Sequence, residues 1–203
     1  MLDPSSARGA PPPDQPHVQS LETELEAHRL DGQTAAVAEA CMKLGQAYAA
    51  LGRFRRALTT YEEALKSFEE LDDRTSRVTC LKAMAGLCYG EGAWNRALDL
   101  YHQALHLLRN PEERPEIAQT HSQIGSVYQG QGNWEKALES YRASLAIREA
   151  LGDTPGMALL FNNLGAVYAR QERWEEARQT WAKCLALHEG GEEYVAVELS
   201  RRD

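Results

Sequence analysis

The chain has 203 residues, of which 43% are hydrophobic and 26% charged, enough apolar material for a core and too much for disorder throughout. Its formal net charge is −8, the wrong sign for a protein held chiefly by phosphates, which argues against nucleic acid and anionic membrane as partners. No apolar run approaches membrane-spanning length, and the N-terminus lacks the apolar stretch of a signal peptide.

Residues 1–17 come first and hold five of the eight prolines, with Ser5, Ser6 and Gly9; they read as a flexible, disordered tail. Val18, Leu21 and Leu25 then recur at helical spacing and predict one helix over 18–30, within a segment 18–33. From 34 to 189 one pattern returns four times at an interval of 40 residues without a gap. Phe54, Trp94, Trp134 and Trp174 form one column; Ala57, Ala97, Ala137 and Ala177 a second; Tyr61, Tyr101, Tyr141 and Trp181 a third. Leu65, Leu105, Leu145 and Leu185 continue it, and upstream Leu44, Met84, Ile124 and Leu164 align. Gly45, Ala85, Gly125 and Gly165 follow them, then Tyr48, Cys88, Tyr128 and Tyr168. Fixed self-similarity at this period is the mark of a repeat architecture.

Each unit divides into helix A, with its Leu-Gly-x-x-Tyr stripe, and helix B, whose Phe54, Ala57, Leu58, Tyr61, Ala64 and Leu65 keep the i, i+3, i+4, i+7 rhythm. The expected spans are 35–50 and 54–70, 75–89 and 94–109, 115–129 and 134–150, then 155–170 and 174–189. Gly52, Gly92 and Gly132 fall in the A-to-B turns, and Pro111, Pro115 and Pro155 in the B-to-A connections. Thr154 before Pro155 is expected as an N-cap. The small columns let helices A and B approach closely, and the aromatic columns are expected to fill the wider gaps between repeats. Residues 18–30 lie one period before helix B of the first unit and read as a degenerate half repeat that caps it. Beyond Gly190-Gly191, residues 190–203 hold Tyr194, Val195, Val197 and Leu199 without the Leu-Gly stripe. They are expected to be a C-terminal cap or the start of a truncated fifth repeat.

Leu44-Gly45-x-x-Tyr48 followed by Gly52-x-Phe54-x-x-Ala57-x-x-x-Tyr61-x-x-Ala64 resembles the signature of the tetratricopeptide repeat (TPR) family. The resemblance spans roughly residues 35–189. Its unit is longer than the usual one and looks like the subclass found in rapsyn and the Leu-Gly-Asn-repeat (Pins-type) adaptors; kinesin light chains are similar. The resemblance implies an all-α, right-handed superhelical solenoid of antiparallel helix pairs, presenting a concave groove, lined by helix A, to segments of partner proteins.

Other chemistries find little support. Cys41, Cys80, Cys88 and Cys184 form no Cys-x-x-Cys pair and read as small buried or half-buried residues in a reducing, cytoplasmic setting. His102 and His106 sit at i, i+4 without an acidic ligand nearby in sequence, so no metal is expected. No nucleophile elbow, phosphate-cradling loop or His-Glu-x-x-His occurs, so neither catalysis nor a cofactor is expected. Arg53, Arg55 and Arg56 read as a solvated face paired with nearby Glu residues, although an acidic partner would also explain them. The four tryptophans belong to the repeat columns and read as packing.

The groove is expected along a second helix-A stripe: Met42 and Gln46; Thr79, Lys82 and Tyr89; Gln119, Ser122, Ser126 and Gln129; then Leu159, Asn162, Ala166 and Arg170. Amides and hydroxyls there suit a peptide backbone. Met42 and Gln46 stand where chaperone-binding relatives carry a carboxylate clamp, so an internal peptide or helical segment is expected rather than a free C-terminus. The expected function is a monomeric scaffold or adaptor; the alternative is a self-association or regulatory module with no peptide ligand.

Overall fold

The computed structural model describes residues 15–189. The expected tail as far as residue 14, and the expected cap or fifth-repeat fragment at 190–203, lie outside the described residues. Among the described residues all regular structure is helical: α1 Gln15–Leu30, α2 Thr34–Ala50, α3 Phe54–Glu70, α4 Arg74–Gly90, α5 Trp94–Leu107, α6 Arg114–Gly130, α7 Trp134–Leu151, α8 Thr154–Arg170 and α9 Trp174–Glu189. α1 starts inside the segment expected as tail; Pro16 sits in its first turn, where a missing N–H costs nothing. α5 stops short of 109 because Leu108 turns extended (ψ 104°) and a 3-10 turn, Pro111–Glu113, intervenes. The N-cap of α8 is Asp153, not Thr154: its Oδ1 accepts the Gly156 N–H at 3.0 Å, and a carboxylate at a helix N-terminus also meets the positive end of the dipole.

The turns between helices share one device. The Arg53 N–H donates to the Tyr48 carbonyl at 2.8 Å, Asn133 to Tyr128 at 2.9 Å and Arg173 to Tyr168 at 2.9 Å. Closing this bond needs a left-handed residue just before the donor. Gly52 and Gly132 supply it at φ 67° and 73°, but in the last turn Glu172 is forced to φ 60°. A side chain in that region costs about 1 kcal/mol or more. Glu172→Gly is therefore expected to stabilise the protein by about 1 kcal/mol, read as a raised urea midpoint.

The chain forms two compact units, the first ending at Leu87 and the second beginning at Cys88. In the first, α1 packs on α2 through an apolar stripe of Val18, Leu21 and Leu25, all buried. Arg29 of α1 makes a two-oxygen ion pair with Glu63 of α3, both contacts at 2.6 Å. The Tyr48 hydroxyl donates to Glu22. Ala38, Cys41, Leu44, Ala57, Tyr61, Ala64 and Phe68 form the core. In the second unit, Ala137, Leu138, Tyr141, Leu160, Leu164, Val167, Tyr168 and Ala177 form one buried cluster. Inside this unit Ser144 donates to the Ala118 carbonyl at 2.6 Å, so its buried hydroxyl is satisfied.

The third aromatic column does not fill gaps between repeats as expected. It covers the glycine of its own helix pair. A Cβ added at Gly45 would lie 2.7 Å from the Tyr61 ring, one at Gly125 2.6 Å from Tyr141, and one at Gly165 2.5 Å from Trp181. The glycine column thus makes the notch into which the ring of helix B drops.

Acid should weaken the fold in two steps. His121 of α6 is held below its usual range by burial and then by His102. It stays neutral in the native state, so stability falls once pH drops below about 6.5, where the unfolded chain takes the proton. Asp153 is depressed by the Gly156 N–H and, less, by Arg148; Asp73 is depressed by Ser76. Their contribution is complete above about pH 4 and is lost as pH falls through the lower folded values. Urea midpoints across pH should show both steps, and His121→Gln should remove the first.

Candidate functional site

The expected groove residues are set by the pitch of the A helices, so the two units are taken in turn. In the first, Gln46 and Thr79 are exposed, while Met42 and Lys82 are half-buried. The Thr79 hydroxyl is turned back onto the Thr75 carbonyl at 3.2 Å. In the second, Tyr89, Gln119, Leu159, Asn162 and Arg170 are exposed, and Ser122, Ser126, Gln129 and Ala166 half-buried.

The second unit contains a cavity of about 300 Å³ lined by Tyr89, Ser126, Gln129, Gly130, Trp134, Tyr141, Asn163 and Arg170. Four expected groove residues, Tyr89, Ser126, Gln129 and Arg170, meet there. Gln119, Ser122, Leu159, Asn162 and Ala166 are not in its wall. Asn163 takes the place expected for Asn162, whose backbone carbonyl instead accepts the Trp181 indole N–H at 3.3 Å. One residue is 100° around a helix, enough to exchange which amide faces the hollow. The Asn162-Asn163 doublet was the only sequence signal for it. Ala166 and Arg170 also border a second, more open hollow of about 520 Å³ with Ala169, Glu172, Trp174 and Trp181.

The floor of the first cavity is a hydrogen-bonded chain. The Tyr141 hydroxyl donates to Gln129 Oε1 at 2.8 Å and lies 3.1 Å from Ser126 Oγ. Burial pushes the Tyr141 phenol upward, and the Ser126 contact offsets part of this, so it remains protonated and able to donate. Tyr141, read from sequence as a packing residue, therefore serves both core and cavity. Trp134 likewise lies in the wall, and Trp94 and Trp174 keep 36% and 54% exposure. The tryptophan column is thus more than interior packing.

Other candidates resolve into local structure. The His106 ring lies 3.2 Å and 3.4 Å from an Arg109 guanidinium nitrogen, a neighbour that repels a metal cation. Among the described residues no three His, Cys, Asp or Glu side chains group closely enough to hold a metal. Cys41, Cys80 and Cys88 are buried and Cys184 half-buried, and all four are free thiols. Desolvation holds Cys41 and Cys80 at about 12, so both are inert near neutrality. Arg56 lies 5.7 Å over the Tyr48 ring, an aromatic contact the sequence did not indicate. Among the described residues no helix is long and apolar enough to cross a membrane.

The family model of the tetratricopeptide repeat matches residues 34–110 and 116–194, well over half of the chain. The chain is a tetratricopeptide-repeat protein. No curated protein matches this TPR chain. Solved structures share its fold. BtubC (BKLC) from P. vanneervenii superposes with a TM-score of 0.73 at 21% identity, covering 94% of this TPR chain and 80% of its own. A Podosopora anserina protein with nearly identical TPR-like repeats of the kinesin light chain kind gives 0.71 at 17% identity, covering 94% and 90%. MamA gives 0.64 at 22% identity, covering 87% and 89%. At these identities the likeness is one of fold.

Proposed function

We propose that this TPR protein is a scaffold or adaptor that binds an internal peptide or helical segment of a partner protein along its A helices. The observation that carries this is the cavity bounded by Tyr89, Ser126, Gln129, Trp134, Tyr141, Asn163 and Arg170. It offers aromatic walls for a side chain and amides and hydroxyls for a peptide backbone, the mixture that segment recognition requires. Within the first unit the proposed contact residues are Met42, Gln46, Thr79 and Lys82; within the second, Gln119, Ser122, Leu159, Asn162 and Ala166 are proposed beside those of the cavity. α1 serves as a half repeat that caps four full ones. The protein works as a monomer without catalysis, cofactor or nucleic acid. Its four free thiols support a reducing, cytoplasmic setting.

Affinity capture with the full chain, followed by mass spectrometry, identifies the partner. Asn163→Ala and Gln129→Ala should then weaken binding while leaving circular dichroism unchanged. Glu139→Lys, on the exposed face of α7, should not. If only the outer-face variant lost the partner, the groove assignment would be wrong. The alternative of self-association is favoured by one observation, the 54% exposure of both Leu159 and Trp174. A concentration-dependent dimer in light scattering would support it.

A further inference from the structure

We propose that the shallow pocket beside Trp94, at the turn that leads into α5, receives the proline run Pro11-Pro12-Pro13 of a second copy of this chain. The pocket shares no residue with the surface proposed above, so the two stand or fall separately.

The pocket has a volume of about 330 Å³ and is lined by Gly92, Ala93, Trp94, Asn95, Arg96 and Gln131. Its plate is the Trp94 indole, 36% exposed. Gly130 backs the ring, since a Cβ added there would lie 3.5 Å from the indole nitrogen; Gly92 and Ala93 are too small to cover it. Trp134 and Trp174 border the two hollows already described, but Trp94 borders neither. Beside the plate, Gln131 Nε2 donates to Asn95 Oδ1 at 3.0 Å. That bond fixes the Asn95 amide and leaves its NH₂ group as a donor. The N-cap Ala93 offers no side-chain acceptor, so the Trp94 and Asn95 N–H groups of the first turn remain donors as well.

An aromatic plate next to a row of donors suits a run of prolines. Such a run has no N–H to satisfy, keeps its carbonyls solvated along an extended left-handed helix, and forms that helix before it binds. Three consecutive prolines occur once in the sequence, at residues 11–13, in a stretch the repeat columns do not use. Charge agrees, because Asp14 follows the run directly and Arg96 is the charged residue of the pocket. Pro13 stands two residues ahead of the start of α1. The run is therefore tethered to the first unit of its own molecule, while the pocket belongs to the second. A second copy offers the same run without that tether. With one run and one pocket each, copies associate head to tail. One plate and a few hydrogen bonds support a Kd on the order of 0.1 mM. The protein thus stays monomeric when dilute and associates where copies are crowded.

The test follows the indole N–H resonances of the isotope-labelled full chain, with that of Trp94 assigned through its loss in Trp94→Phe. The probe is a synthetic peptide of residues 8–16 with blocked ends. It should move the Trp94 indole and the Asn95 and Gln131 side-chain amide signals saturably, and leave those of Gln129 and Asn163 in place. Asn95→Asp keeps the acceptor for Gln131, removes the amide donor and suits the start of a helix. Its melting curve should stay that of the parent while peptide affinity falls roughly fivefold, the typical weight of one hydrogen bond. A peptide with its three prolines replaced by serine should not bind. Without peptide, the Trp94 signal should drift in the same direction as protein concentration rises. Pro11→Ser, Pro12→Ser and Pro13→Ser together should abolish that drift. A Trp94 signal indifferent to the peptide, or peptide shifts confined to Gln129 and Asn163, would overturn the proposal and leave the A-helix surface to its own test. An Asn95→Asp chain that binds like the parent would remove the pocket from the contact. A Trp94 shift that the triple variant abolishes but that ignores concentration would put the run on its own chain and overturn the second copy as its source. Concentration dependence that survives the triple variant would place the contact between copies elsewhere.

Discussion

Gly125→Val is expected to lower stability by about 3 kcal/mol, at the upper end of what overpacking does. The first carbon of any side chain at this position would lie 2.6 Å from two carbons of the Tyr141 ring. That ring cannot step aside. It is 1% exposed, sits in the buried cluster of Leu138, Leu160, Leu164 and Val167, and its hydroxyl is tied to Gln129 and Ser126. The second branch of valine adds crowding against the preceding helical turn. Gly130→Ala on the same helix is the control. An added Cβ there meets only the Trp94 and Tyr89 side chains at 3.5 Å, ordinary contact, and gains helix propensity. It should be neutral or slightly stabilising. Equal losses for the two variants in urea titrations would mean that the Tyr141 notch is not what makes Gly125 necessary. Because Tyr141 also orients Gln129, Gly125→Val should reduce peptide binding under conditions where the variant is still folded.

The repeat itself was legible because its cause is one-dimensional. A residue that must be small, apolar or left-handed recurs wherever the chain returns to the same place in the helix pair, so columns 40 residues apart announce both the helices and their turns. Glu172 shows the strength of that logic. The backbone takes φ 60° there although the residue is unsuited to it, since the packing of α8 against α9 demands the turn. What a column cannot state is which partner its residues meet. Tyr61, Tyr141 and Trp181 were recognisable as packing residues, the first two buried and the third half-buried, but nothing in their spacing says that each covers the glycine of its own pair. The cavity was half legible for a related reason. Helical period places Ser126, Gln129 and Arg170 on one side of their helices. It cannot choose between Asn162 and Asn163, because the choice depends on how α8 is rotated against its neighbours. Arg148, which reaches Asp153 across the turn, belongs to the same class of facts. It explains why Asp153 rather than Thr154 caps α8, and it lies in side-chain reach rather than in pattern.

Replacing both Leu21 and Leu25 by Asp should remove α1 from the first unit, at a cost of at least about 4 kcal/mol. Each leucine is nearly fully buried, at 6% and 4% exposure, and such a side chain contributes about 1.5–3 kcal/mol by leaving water. Burying an unpaired carboxylate in its place is costlier than the loss alone. The polar contacts of α1 do not compensate. The Arg29–Glu63 pair is partly exposed, with side chains 43% and 38% accessible, and pairs of that kind contribute little. Release of α1 would also strip Glu22 from the Tyr48 hydroxyl and uncover the apolar face of α2. End repeats without a polar outer surface tend to associate, so the variant should appear larger in light scattering as its concentration rises. All four tryptophans, Trp94, Trp134, Trp174 and Trp181, lie in the second unit, which gives the experiment an internal reference. Circular dichroism should fall at lower urea than tryptophan fluorescence in the double variant, because stability in a repeat protein is close to a sum of neighbouring terms. Thr23→Asp, on the exposed side of the same helix, should leave both curves where they are. A double variant that stays monomeric with an unchanged circular dichroism midpoint would show that α1 does not cap the array.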